Sequence, residues 1–251
     1  LLLTGDRHYI DVWRATLKAI NANSKTIDGQ KMYPHMYGDD GWYGYRSQPY
    51  SQGALEVYCW SMDRNDLQFV PENPWITYLE GNAPDYPVET LRQEFETIRR
   101  KVDEIRRDST TPDTRMSDDM LRFNPAADSC LTQLMLGGVT PRQGDPLHCR
   151  LRYFNPGERR AGVPEDVAAL VETLTDTEVT LTLVNISPIH ECTLMVQGGA
   201  YGEHKITCVT ANGQKHDVDD SFVTVCLAPA AVSRMVINMK RYVNQPTFAF
   251  P

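Results

Sequence analysis

The spacing of apolar residues changes period once along this chain. Steps of three and four run to about residue 140, and strict alternation begins after about residue 165. A chain divided in this way must bury a helical layer first and a sheet layer second. Ile10, Trp13, Leu17 and Ile20 follow an Asp6 cap and predict a helix that ends near residues 21–24. A second helix is predicted over 51–62, with Leu55, Tyr58, Cys59 and Met62 on one face. The clearest helical segment is 88–107. Leu91, Phe95, Ile98, Val102 and Ile105 form its stripe, with Glu96/Arg100 and Asp103/Arg107 as i,i+4 pairs on a solvated face. A short helix over 125–136 should stop at Gly137-Gly138.

Beyond residue 165 the alternation predicts about six short strands, at 179–183, 192–197, 205–210, 215–218, 222–227 and 232–239. Asn212-Gly213 is the strongest hairpin signal among them. The expected fold class is therefore a two-part α+β chain: helical hairpins over 1–140, a Pro- and Gly-rich linker packed at the interface over 141–165, and an antiparallel β-sandwich over 166–251. Arg150, Arg152, Arg159 and Arg160 are expected to tie the linker to nearby carboxylates and carbonyls.

A formal net charge of -8 argues against a nucleic-acid or anionic-membrane partner, since both reward clustered Lys and Arg. No apolar run is long enough to span a membrane. The six cysteines lack any CxxC spacing, which excludes zinc ribbons and thioredoxin-like sites. If the strands flanking 198–202 pair as a hairpin centred on Ala200, Cys192 falls opposite Cys208 and the two can form a disulfide. A single sequon, Asn185-Ile186-Ser187, is followed by Pro188. The chain lacks an initiator methionine and enters its first helix directly after Thr4-Gly5, as a piece of a longer protein would. No nucleophile elbow, P-loop, dinucleotide fingerprint or HExxH is present.

The richest candidate for chemistry is the stretch from Met32 to Tyr50, which gathers one tryptophan and five of the chain's twelve tyrosines. Aromatic faces with polar tips beside carboxylates suit a sugar or another polar ligand. Asp39, Asp40, His35 and Tyr43 are the candidate acid and base groups of a glycoside hydrolase or lyase. Tyr37, Trp42, Tyr45, Arg46 and Glu56 are the candidate substrate contacts. Asp39 and Asp40 are also candidate oxygen ligands for calcium, without the repeated pattern of a dedicated loop, and no other cofactor is expected. The alternative is that Asp39-Asp40-Gly41 makes a turn while the aromatic rings pin a long inter-helix loop.

The segments TGDRHYIDVWRATLKAIN, MYPHMYGDDGWYGY and PYSQGALEVYCWSM, followed by a sandwich, resemble the last hairpins of an (α/α) toroid of the six-hairpin glycosidase type. LRYFNPGERRAGVPEDVAALVETL, GGAYGEH and KRYVNQPTFAFP look like the C-terminal portion of large exported bacterial proteins. The resemblance implies secretion and a polysaccharide or glycan partner, with the rest of a longer chain or other subunits completing the ring. It transfers no catalytic residue. A non-catalytic extracellular assembly subunit and a glycan-binding module are the competing expectations.

Overall fold

The computed structural model describes residues 1–111, 113–114, 124–141 and 145–251; Pro112 and residues 142–144 of the expected linker lie outside the described residues. The helical layer contains α1 (His8–Ala22), α2 (Ala54–Ser61), a 3₁₀ turn (Arg64–Phe69), α3 (Pro74–Leu79), α4 (Tyr86–Arg107) and α5 (Ser129–Leu136). Two small hairpins, β1 (Lys25–Ile27) with β2 (Gln30–Met32) and β3 (Met36–Gly38) with β4 (Gly41–Tyr43), fill the connection from α1 to α2. The rest of the chain supplies β5 (Leu151–Asn155), β6 (Arg160–Ala161), β7 (Val167–Leu174), β8 (Glu178–Asn185), β9 (Cys192–Gly198), β10 (Lys205–Ala211), β11 (Gln214–Asp220), β12 (Phe222–Leu227) and β13 (Val232–Lys240).

The strands form two antiparallel sheets, in the orders β11-β10-β13-β8-β7 and β12-β9-β5-β6. Their inner faces meet through Val179, Leu181 and Leu183 of β8, Leu194 and Val196 of β9, and Ile237 of β13, which are fully buried. Period-two alternation places these side chains on one face, and burying them stabilises the sandwich by roughly 1.5–3 kcal/mol each before entropy is counted. The β10–β11 turn holds Asn212 at φ 50° and Gly213 at φ 75°, a type I′ combination that matches the twist of the flanking strands.

A second core joins the helices to the sandwich. Trp75, Tyr78 and Leu134 pack with Leu170 and Leu174 on the edge strand β7, and the Tyr78 hydroxyl donates to the Val171 carbonyl at 3.3 Å. Arg241 strengthens this junction from the sheet side. Its guanidinium donates to the carbonyls of Cys59, Trp60 and Ser61 at the end of α2 and pairs with Asp176. A cation there complements the exposed carbonyls of a helix C-terminus.

Several expectations need correction. No (α/α) toroid is formed: the helices of the described residues are few, most are short, and the chain is predominantly sheet. The expected linker is not wholly irregular, because Leu151–Asn155 forms the buried strand β5 beside β9. Arg150 and Arg152 do act as ties, donating to the carbonyls of Thr175 and Ala200. Among the described residues the ion pairs on α4 are Arg100–Glu104 and Arg106–Asp103.

The proposed Cys192–Cys208 disulfide is absent, and all six cysteines are free thiols. The reason is topological: β9 pairs with β12 and β5, β10 pairs with β11 and β13, and the 198–204 segment crosses between sheets instead of closing a hairpin. Glu203 holds that crossover from inside, its carboxylate accepting the amides of Ala200 at 3.2 Å and Tyr201 at 2.8 Å. The sequon asparagine is likewise interior. Asn185 is 1 % exposed and its amide donates to the carbonyls of His190, Leu227 and Ala228, so it has no room for a glycan.

Candidate functional site

The aromatic stretch around Tyr37 folds as an exposed hairpin whose tip is Asp39-Asp40, with Gly41 at φ 92° completing the turn. Tyr37 and Trp42 face each other across the strands, their ring centroids 4.8 Å apart and nearly edge-on. The Tyr43 ring lies over Gly38, and Tyr33 and Arg46 exchange backbone hydrogen bonds below it. The Tyr45 hydroxyl donates to the Asn23 carbonyl at 3.4 Å, under the Lys25 ammonium. His35 is turned toward the Gln48 carbonyl at 3.0 Å and stacks edge-on against Tyr50. The turn at Asp39-Asp40-Gly41 forms as the alternative reading expected, with Tyr37 and Trp42 packed on each other across the hairpin. Asp39, Asp40, His35 and Tyr43 line none of four cavities found among the described residues.

A cavity of about 440 Å³ lies instead between α1, α2 and residues 139–141 and 145–148, and of the expected residues only Glu56 lines it. Glu56 and Trp60, four residues apart, share one face of α2, opposite the buried Tyr58, and Gln52 joins them from the turn before the helix. Trp13 enters from α1, braced edge-on by Phe69 at 6.2 Å. It fits because residue 53 is glycine: a Cβ there would stand 3.2 Å from the Trp13 indole nitrogen, on a backbone already at φ 81°. The far wall carries Asp145, Pro146 and His148. It is drawn against α5 at Gly138, where a Cβ would lie 2.3 Å from the His148 carbonyl oxygen.

His148 connects this wall to a buried polar layer. Its ring meets Trp60 edge-on at 5.5 Å, and its Nε2 lies 3.4 Å from the Tyr242 hydroxyl. The Tyr242 amide in turn donates to His204 Nδ1 at 3.2 Å. Burial, then the neighbouring Arg150 and Arg241 cations, push His148 down to about 3. The same causes hold His204 well below its ordinary value. Both imidazoles are neutral at physiological pH. His148 thus packs and hydrogen-bonds in the cleft wall.

Below the cleft, Arg14 fixes α1 to the 3₁₀ turn by a bidentate pair with Asp66, both bonds 2.7 Å, and reaches Asp63 at 3.0 Å. Burial pushes the Asp66 carboxyl up, but the hydrogen bonds from Arg14 and Ser61 outweigh it and the net shift is downward. The cleft that results has indole faces, two carboxylates and an amide, and no Lys or Arg lines it among the described residues. No group of three or more His, Cys, Asp or Glu suited to a metal ion occurs among the described residues. No helix there is long and apolar enough to cross a membrane.

On α2 the spacing of Glu56 and Trp60 is visible in the sequence, but the run of tyrosines at 33–50 is denser. Trp13, Asp145 and His148 carried no signal, since they join the site only through packing.

Residues 68–132, from the end of the 3₁₀ turn into α5, match the family described as Domain of unknown function (DUF8034). This match replaces the expected likeness to six-hairpin glycosidases, for which neither the fold nor the family comparison gives support. No curated protein and no solved structure matches the chain.

Proposed function

We propose that this chain is a carbohydrate-active module that holds a glycan in the cleft between α1, α2 and residues 139–141 and 145–148. The carrying observation is that Trp13 and Trp60 line one cavity together with Glu56, Asp145 and Gln52. Indole faces accept the C–H faces of a pyranose, while carboxylate and amide oxygens accept its hydroxyl protons. The carboxylates of Glu56 and Asp145 give the cleft an acidic lining, which favours neutral or amino sugars. That preference favours a glycoside hydrolase over a polysaccharide lyase acting on uronates, with Glu56 and Asp145 as the carboxylate pair. Extracellular placement belongs to the same proposal, because polymeric glycans are met there.

The test is a glycan array combined with a reducing-end release screen on wild type, Glu56→Gln, Asp145→Asn and Trp60→Ala. Binding to a neutral or amino-sugar glycan should weaken about tenfold or more in each variant, roughly 1.4 kcal/mol, and remain unchanged in the hairpin variant Asp40→Ala. Release of reducing ends would establish turnover as well as binding. Failure of the folded protein to bind any neutral or cationic glycan would overturn the proposal.

A further inference from the structure

The longest helix of the described residues is also the least covered. None of the 22 residues of α4 is buried, although its sequence is strongly amphipathic. Val88, Leu91, Phe95, Ile98, Val102 and Ile105 succeed one another by three, four, three, four and three, a strict 3.5-residue period over three heptads. That period belongs to a coiled-coil seam, whereas a helix lying on a globular core shows a broader stripe of period 3.6. Leu91 touches the helical core at its inner edge. Val88, Phe95 and Ile105 are 51 %, 57 % and 38 % exposed.

The two flanks of the seam differ. On one flank Glu94 accepts the Cys130 amide at 3.0 Å and the Lys101 ammonium donates to the Asn124 carbonyl at 2.9 Å, so both are engaged, by the first turn of α5 and by the segment before it. The other flank presents Arg92, Arg99 and Arg106 at seven-residue intervals, all exposed. An acidic row, Glu89, Glu96 and Asp103, lies behind these arginines. Asp103 meets Arg106 at 3.7 Å, an exposed pair that a partner carboxylate displaces at little cost.

We infer that α4 is a docking surface for an acidic amphipathic helix of a partner protein, whose heptad seam covers the apolar stripe and whose Glu or Asp side chains meet the arginine row. Charge selects this occupant over a second copy of the chain. Antiparallel self-pairing sets the arginine row against itself, and parallel self-pairing needs Glu94 and Lys101, which are already engaged. The surface is independent of the cleft, so it stands whether or not the chain binds a glycan.

The probes are two synthetic three-heptad peptides with a Leu/Ile seam, one carrying Glu and the other Lys at the flanking positions. Fluorescence anisotropy on the intact chain at low salt should show the Glu peptide binding about tenfold or more tightly than the Lys peptide. Phe95→Glu should abolish that binding with an unchanged circular dichroism spectrum. Triple reversal of Arg92, Arg99 and Arg106 to Glu should invert the preference. Equal affinity for both peptides, or no binding of either by the folded chain, overturns the inference. So does a concentration-dependent dimer in sedimentation equilibrium that disappears in Phe95→Glu, since a second copy would then be the occupant.

Discussion

Acidification should destabilise this protein through His148 well before its carboxylates are protonated. The imidazole has an ordinary value of 6.5 in the unfolded chain and about 3 in the fold, set by burial and then by Arg150 and Arg241. Between those limits only the unfolded chain binds the proton, so the histidine's contribution is present above pH 6.5 and is lost as pH falls. At pH 5, about 1.5 pH units below 6.5, the loss relative to pH 7.5 is about 2 kcal/mol at about 1.36 kcal/mol per unit. Any folded value below about 4 gives nearly the same figure, because the unfolded state then sets the slope. The assay is urea unfolding at both pH values for wild type and His148→Gln, which keeps a neutral polar side chain without the titration. Wild type should lose about 2 kcal/mol more than the variant over this interval. His204 and Asp66, both lowered, lose stability toward acid, while Glu203, raised by burial, loses stability as pH rises. Asp66 and Glu203 act alike in both proteins and cancel in the comparison, and His204 stays lowered in both by its burial and by Arg150 and Arg241. Equal losses would show that His148 reaches solvent and titrates normally, refuting the buried-layer account.

Three further outcomes follow from the packing. Arg14→Met should destabilise the chain by about 3–5 kcal/mol in denaturant unfolding, because it strands the Asp66 carboxylate, 1 % exposed, without its cation. Asp66→Asn in the same background should recover part of that loss. Gly199→Ala should impair folding as judged by thermal melting: the residue sits at φ 86°, and a Cβ would lie 2.3 Å from Glu203 Cδ in the crossover. An alternative loop in solution would leave the melting temperature unchanged. Native thiol titration should modify Cys226 rapidly, with all six cysteines reacting in denaturant and no change of intact mass on reduction. A reducible mass shift would restore a disulfide.

The position of α4 was legible in the sequence because its stripe repeats over three heptads, and so were β8, β10, β12 and β13, whose alternation depends only on neighbours along the chain. The hairpin at Asn212-Gly213 was legible for a local reason too, since those residues tolerate positive φ. β5 was hidden by the prolines and glycines around it, and its strand character comes from pairing with β9.

The sequence by itself determined the order of helical and sheet layers, the turn at 212–213 and an apolar seam on α4, since each depends on spacing within one segment. Tertiary structure alone decided the sheet in which each cysteine lies, the neutrality of His148 and the gathering of Trp13, Glu56 and Asp145 around one cleft. Those outcomes arise from contacts between segments distant along the chain: strand partners, burial beside fixed cations, and helix faces brought together. No local period encodes such contacts. That is why the crowded tyrosines around Tyr37 stand out in the sequence, while the cleft forms one helix further on.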